Sequence, residues 1–242
     1  VVGSEVKLAP ELGPTIVHGT VDGAGPFAET VFLEHGMLVL DDVPWETDLD
    51  VLRAALVRKK RAFKAPYLEK EPAPTVRKEI NRLLDHAKRL FLQLYPTFKS
   101  IEERTSWRPM ITGPEPLHFD TYGGKNPMVT AYINVSAVPR VYGIGPNFPT
   151  LLKEQPSVMR WMMEEAVKRG DVDMSYVLRK HPKSPLLTAP RHRVELAPGA
   201  IWFFNAKTVS HEVIYGEGAV GISWEVPGCG AKMQTELLDA LS

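Results

Sequence analysis

The spacing of apolar residues changes along this chain, from helical repeats before about residue 100 to short stretches of period two beyond it. Residues 1–30 carry Gly and Pro at short intervals and read as an extended lead-in with one or two short strands, such as 15–18. The apolar run Gly36-Met37-Leu38-Val39-Leu40, closed by Asp41, Asp42 and Pro44, suits a buried strand. Thr47 stands where a cap belongs, Asp48 and Asp50 fill a first turn, and Leu49, Leu52 and Leu56 follow at helical spacing. The basic run Arg58 to Arg61 then reads as a solvated helix end. A second helix is predicted over 74–95, where Val76, Ile80, Leu83, Leu84, Ala87, Phe91 and Leu94 share a face and Pro96 ends the run. His86 falls at the boundary of that face.

Beyond residue 100 the pattern predicts strands. Over 126–135, Val129, Ala131, Ile133 and Val135 alternate with Thr130, Tyr132 and Asn134, so the second face is polar yet enclosed. Residues 139–142 read as a further strand ending at Gly143, Gly145 and Pro146. A helical insertion follows over 149–180, capped at Ser157, with an apolar stripe of Val158, Trp161, Met162 and Ala166 and a break at Gly170. Strands return at 194–196, 200–204, 210–214 and 219–226, with turns at Pro198-Gly199 and Gly216/Gly218, before a short helix over 232–241. About eight strands preceded by two helices predict a mainly β fold with helical support: a double-stranded jelly roll. The expected organisation is one domain over 1–242. Residues 1–100 supply the first strand and supporting helices, 101–230 the jelly roll with its insertion, and 231–242 the terminal helix.

Composition narrows the function classes. With 29 basic and 29 acidic residues, no global charge favours nucleic acid or an anionic membrane as partner. No apolar run reaches a membrane span, and 44% hydrophobic content suits a folded domain. The one cysteine, Cys229, can form no intrachain disulfide, so a cytoplasmic setting is expected. Nothing in the pattern fixes an oligomeric state.

The chemistry gathers at Leu117-His118-Phe119-Asp120. In a strand, residues two apart share a face, so His118 and Asp120 present imidazole and carboxylate together. His211, in a later strand, supplies a third ligand, and two His with one carboxylate form the facial triad suited to Fe(II). Open positions on such an ion accept a chelating cosubstrate and dioxygen. Arg104 and Arg108, just upstream, suit an anionic ligand.

These residues resemble the Fe(II)- and 2-oxoglutarate-dependent dioxygenases, whose double-stranded β-helix carries His-x-Asp early and a single His late. Within that superfamily the chain is distantly similar to the Kdo hydroxylase group. That likeness rests on Thr105-Ser106-Trp107-Arg108, Leu117 to Asp120, Asn134, Pro139-Arg140-Val141-Tyr142, and Pro198-Gly199 with Trp202 before His211. The resemblance implies Fe(II), 2-oxoglutarate and O2, with oxidation of an unactivated C–H bond and release of succinate and CO2. The substrate would be a small polar molecule: a sugar acid, an amino acid or a natural-product intermediate. Asp120, present where related halogenases lack a ligand, favours hydroxylation or another oxidation over halogenation.

One departure stands out. The family's arginine for the distal carboxylate falls about ten residues after the late histidine, where this chain has Gly221, although Ser223 fits its companion hydroxyl. Arg140 is the first replacement and Arg108 the second, ahead of Arg104 and Lys125. Tyr132 joins the cosubstrate pocket, and Tyr122, Tyr132, Trp202 and the insertion are candidates for its walls. Two rivals differ in chemistry. A Zn hydrolase could use the same ligands, though the helical His-Glu-x-x-His pattern is absent, and a metal-free jelly roll could bind a sugar without needing the triad.

Overall fold

The structure is a computed structural model and describes residues 5–6, 14–58, 73–108, 115–120, 126–168, 184–233 and 236–237. Its strands are β1 (Glu5–Val6), β2 (Ile16–Gly19), β3 (Met37–Leu40), β4 (Glu102–Arg108), β5 (Glu115–His118), β6 (Met128–Asn134), β7 (Arg140–Asn147), β8 (His192–Leu196), β9 (Ile201–Asn205), β10 (Val209–Tyr215) and β11 (Ala219–Glu225). The helices are α1 (Val21–Leu33), α2 (Leu49–Arg58), α3 (Pro74–Leu94), α4 (Phe148–Glu154), α5 (Pro156–Lys168) and α6 (Pro185–Thr188). The strands form a larger sheet in the order β1-β2-β3-β9-β6-β11-β4 and a smaller one in the order β5-β10-β7-β8. Every pairing is antiparallel except β2 with β3. This is the expected mainly β jelly roll with helical support.

Strand alternation sorts the larger sheet's side chains into two cores. Val129, Ala131 and Ile133 of β6, Ile201 and Phe203 of β9, and Val220, Ile222 and Trp224 of β11 face outward and pack under α1, α2 and α3. Their opposite neighbours, including Tyr132, Trp202 and Phe204, turn inward to meet Tyr142, Ile144 and Val194 of the smaller sheet. The apolar face predicted for α3 is the buried one. It presses Phe91 flat on Trp224, with ring centroids 4.4 Å apart. Each large side chain so covered contributes ~1.5–3 kcal/mol of transfer free energy.

Several expectations need correction. Residues 21–33 form a helix where an extended lead-in was expected. Gly23, Gly25 and Pro26 hide it, but Thr20 caps the first turn by accepting from Gly23 N–H at 3.2 Å, and Ala24, Ala28, Val31 and Phe32 bury one face. The cap of α2 is Asp48 instead of Thr47: its Oδ1 accepts from Asp50 and Val51 N–H at 3.0 and 3.3 Å. β7 runs straight through Gly143 and Gly145, which serve close packing and not a turn. A Cβ at Gly145 would stand 2.6 Å from Ser210 Oγ and 2.8 Å from Leu117 Cδ2. The insertion opens with two helices divided at Gln155, so Ser157 lies inside the second, and Trp161 is exposed instead of joining the stripe. The side chains of Met162 and Ala166, and Tyr122, Lys125, Gly170, residues 59–61 and residues 238–241, lie outside the described residues.

Candidate functional site

The antiparallel register of β5 and β10 sets His118 directly opposite His211. Their rings lie 4.5 Å apart between centroids, on the inward face of the smaller sheet. Asp120 reaches the same spot by a different route from the one expected, because β5 ends at His118 and Asp120 is not in the strand. Phe119 drops into a side core, edge-on to Phe148 at 5.9 Å, and the Asp120 N–H donates to Ala206 O at 2.8 Å in the β9–β10 turn. The carboxylate is thereby held back toward the histidines. Its Oδ1 lies 3.4 Å from His118 Nε2 and 3.8 Å from His211 Nε2.

One ligand atom from each of the three residues falls within 4.8 Å of the others. Donors bound to one ion at ~2.0–2.2 Å stand about 3 Å apart when adjacent, so a modest contraction would complete the set. His211 is also oriented for the task. A carbonyl can only accept, so the 3.0 Å contact between His211 Nδ1 and Val209 O fixes the proton on Nδ1 and leaves Nε2 with a lone pair. Burial of both imidazoles among Phe204, Tyr142 and neighbouring side chains keeps water from competing.

Arg140 lies on the inward face of β7 with Tyr142, four residues from the partner of His211, Ile144. That separation is about 13 Å of strand. The side chain is 1% exposed. Its Nε donates to Tyr142 Oη at 3.2 Å, its Cζ sits 5.3 Å from the Tyr142 ring centroid, and its Nη1 is buried with no acceptor. No carboxylate of the described residues is in ion-pair reach of it. A charge so placed costs several kcal/mol, roughly, unless an anion joins it. Gly216, read from sequence only as a turn, makes the position possible: a Cβ there would stand 2.6 Å from Arg140 Cγ.

The space at Gly221 is already taken. A Cβ there would lie 2.8 Å from Tyr132 Cε1 and 2.6 Å from Ser106 Oγ, so no arginine could leave the strand at this point without displacing both. Tyr132 is buried between Trp202 and Phe204, with centroids at 5.8 and 6.3 Å. Ser223, one inward position along, donates to Thr130 Oγ1 at 3.2 Å. Arg104 is exposed and held by Glu102 through Nε and Nη2 at 2.8 and 3.0 Å. Arg108 pairs with Ala219, and its side chain lies outside the described residues.

The structure therefore brings His118, Asp120 and His211 together and lines the same interior with Arg140, Tyr132 and, nearer its edge, Ser223. Gly216 carried no sequence signal beyond that of a turn, and Tyr142 none beyond the stretch 139–142 and the alternation that sets it on one face with Arg140. Asn134 has another use: its amide donates to the carbonyls of Val138, Leu196 and Ala197 and ties β6 to the neighbouring loops.

No protein-family model matches the sequence, and no curated protein does. Solved structures do. The apo Kdo hydroxylase KdoO, described as a non-haem Fe(II) α-ketoglutarate-dependent dioxygenase, superposes with a TM-score of 0.70 at 14% identity, covering 94% of this chain and 95% of that one. Its complex with α-ketoglutarate and Fe(III) gives 0.69 over the same shares and at the same identity. The α-ketoglutarate-dependent carbocyclase SnoK of nogalamycin biosynthesis gives 0.52 at 15% identity, covering 89% and 87%. At these identities the shared property is the fold.

Proposed function

We propose that this protein is a non-haem Fe(II)- and 2-oxoglutarate-dependent oxygenase acting on an unactivated C–H bond of a small polar substrate, in a cytoplasmic setting. The observation that carries the reading is the convergence of His118, Asp120 and His211 in a fold shared with solved oxygenases of this kind. The two Nε2 atoms and one Asp120 oxygen would hold the ion, a donor set that leaves positions for cosubstrate and dioxygen. When bound, Fe(II) supplies the oxygen chemistry, in which one atom of O2 goes to the substrate and the other to succinate as 2-oxoglutarate loses CO2.

The chain's own side chains account for the rest. Arg140 provides the guanidinium that a carboxylate withdrawn from water requires, and the strand length between it and His211 leaves room for a five-carbon diacid. Tyr132 seals the place where the family's arginine would enter. Trp202, Phe204 and Tyr142 exclude solvent from the space between anchor and ligands.

Anaerobic titration of the purified protein with Fe(II) and then 2-oxoglutarate tests this. A visible charge-transfer band should appear with both present. It should disappear in His118→Ala, Asp120→Ala and His211→Ala, whose thermal melts should stay close to that of the parent. A band that persists in any of the three would remove that residue from the ligand set, and no band in the parent protein would end the proposal.

A further inference from the structure

Trp202 is 0% exposed, and its indole Nε1 is buried without an acceptor, like Nη1 of Arg140. The two side chains flank one ring. Trp202 stands edge-on to Tyr142 at 5.2 Å between centroids, and the Arg140 guanidinium carbon lies 5.3 Å from the centroid of that same ring. Indole can donate but not accept, so no rotation of a hydroxyl or flip of an amide relieves it. Each buried donor left unmade destabilises the fold, and a charged one does so more. Two such donors against one ring, in the interior that also holds the histidines, call for a ligand with at least two lone pairs and a negative charge.

We propose that Trp202 donates its indole N–H to the remote carboxylate of the keto-acid cosubstrate, one oxygen of which Arg140 binds, so that the pair selects a keto diacid over a keto monoacid. This rests on the oxygenase reading above. It assigns Trp202 a binding role, where packing alone would make it a wall. Tyr132 and Tyr142, whose ring centroids lie 5.8 and 5.2 Å from the indole, offer its Nε1 no oxygen.

The test compares two keto acids under anaerobic Fe(II), read by the charge-transfer band: 2-oxoglutarate, and 2-oxobutyrate, which chelates but lacks the remote carboxylate. Trp202→Phe keeps the ring and removes the donor. The Kd for 2-oxoglutarate should rise about tenfold while that for 2-oxobutyrate and for Fe(II) stays within twofold. A second readout needs no variant to stay folded during binding. In Zn(II)-loaded parent protein labelled with ¹⁵N-indole tryptophan, one of the five indole resonances should move downfield with 2-oxoglutarate and stay in place with 2-oxobutyrate. That resonance is assigned by its loss in Trp202→Phe. An unchanged affinity for 2-oxoglutarate, equal weakening of both keto acids, or an unmoved resonance overturns the role of Trp202 while the oxygenase reading stands. A parent protein that binds no keto acid overturns both.

Discussion

Arg140 and His35 show how two buried nitrogen side chains can differ in what their surroundings ask of them. Arg140 sits in a site with one tyrosine oxygen and no carboxylate of the described residues, and on the proposed reading the cosubstrate supplies the anion. Arg140→Ala should raise the Kd for 2-oxoglutarate by about one to two orders of magnitude, while Fe(II) binding, read in the same titration, barely moves. Equal loss of Fe(II) would show that Arg140 supports the strand instead. His35 is buried and neutral. It adopts φ 57° and meets Thr208 Oγ1 through Nδ1 at 2.9 Å, and burial pushes its pKa down to about 4. The fold accepts only the uncharged ring, so its contribution is complete above the unfolded value near pH 6.5. It drains away as the pH falls through about 4, by up to about 3 kcal/mol. His35→Asn keeps a residue type that tolerates a positive φ. Denaturant titrations of both proteins from pH 7 to pH 4 should therefore show a shallower acid loss in the variant. The residues most legible from sequence were those whose chemistry is written in the side-chain type: His118, Asp120, His211. Gly216 was opaque because its function is the volume it leaves to a neighbour.

At the scale of elements, periodicity read well wherever the chain offered enough of it. α3 has six turns of uninterrupted pattern and appears where expected, within one residue at its end. α1 has the same kind of buried face, but two glycines and a proline in its first two turns mask the repeat, and tertiary packing under β3 and β9 overrides their low propensity. That conflict gives a prediction. A Cβ at Gly25 would meet nothing within 4 Å, so Gly25→Ala should stabilise the protein by about 0.5–1 kcal/mol in urea unfolding. Gly23→Ala should gain less or nothing, since its Cβ would come within 3.1 Å of the capping Thr20 hydroxyl. The sequence of β7 misleads at Gly143 for the opposite reason. Glycine signals a turn locally, whereas here Glu212, paired with Arg191 at 3.0 Å, lies over the position from the adjoining strand. Only the neighbour's identity resolves it.

In the molecule as a whole, the helices stabilise one face of the larger sheet and leave the other face free to line the interior, which is why His118, Asp120 and His211 can sit among large aromatics without being part of the main apolar core. The jelly roll was readable because eight short strands after two helices admit few other layer arrangements, and the order of the strands within the sheets was not, because most pairings join partners more than sixty residues apart. The placement of β5 carries one further consequence. Among the described residues it is a four-residue edge strand, bonded on one side to β10, and it delivers His118 and then Asp120. An ion shared with His211 would act as a rivet through that edge, so occupancy and local opening become linked equilibria: each tenfold excess of metal over its Kd adds about 1.4 kcal/mol to the free energy of peeling β5 away. Amide hydrogen exchange should report it directly, with the backbone from 115 to 120 slowing in step with Fe(II) or Zn(II) concentration while the amides of α3 keep their rates.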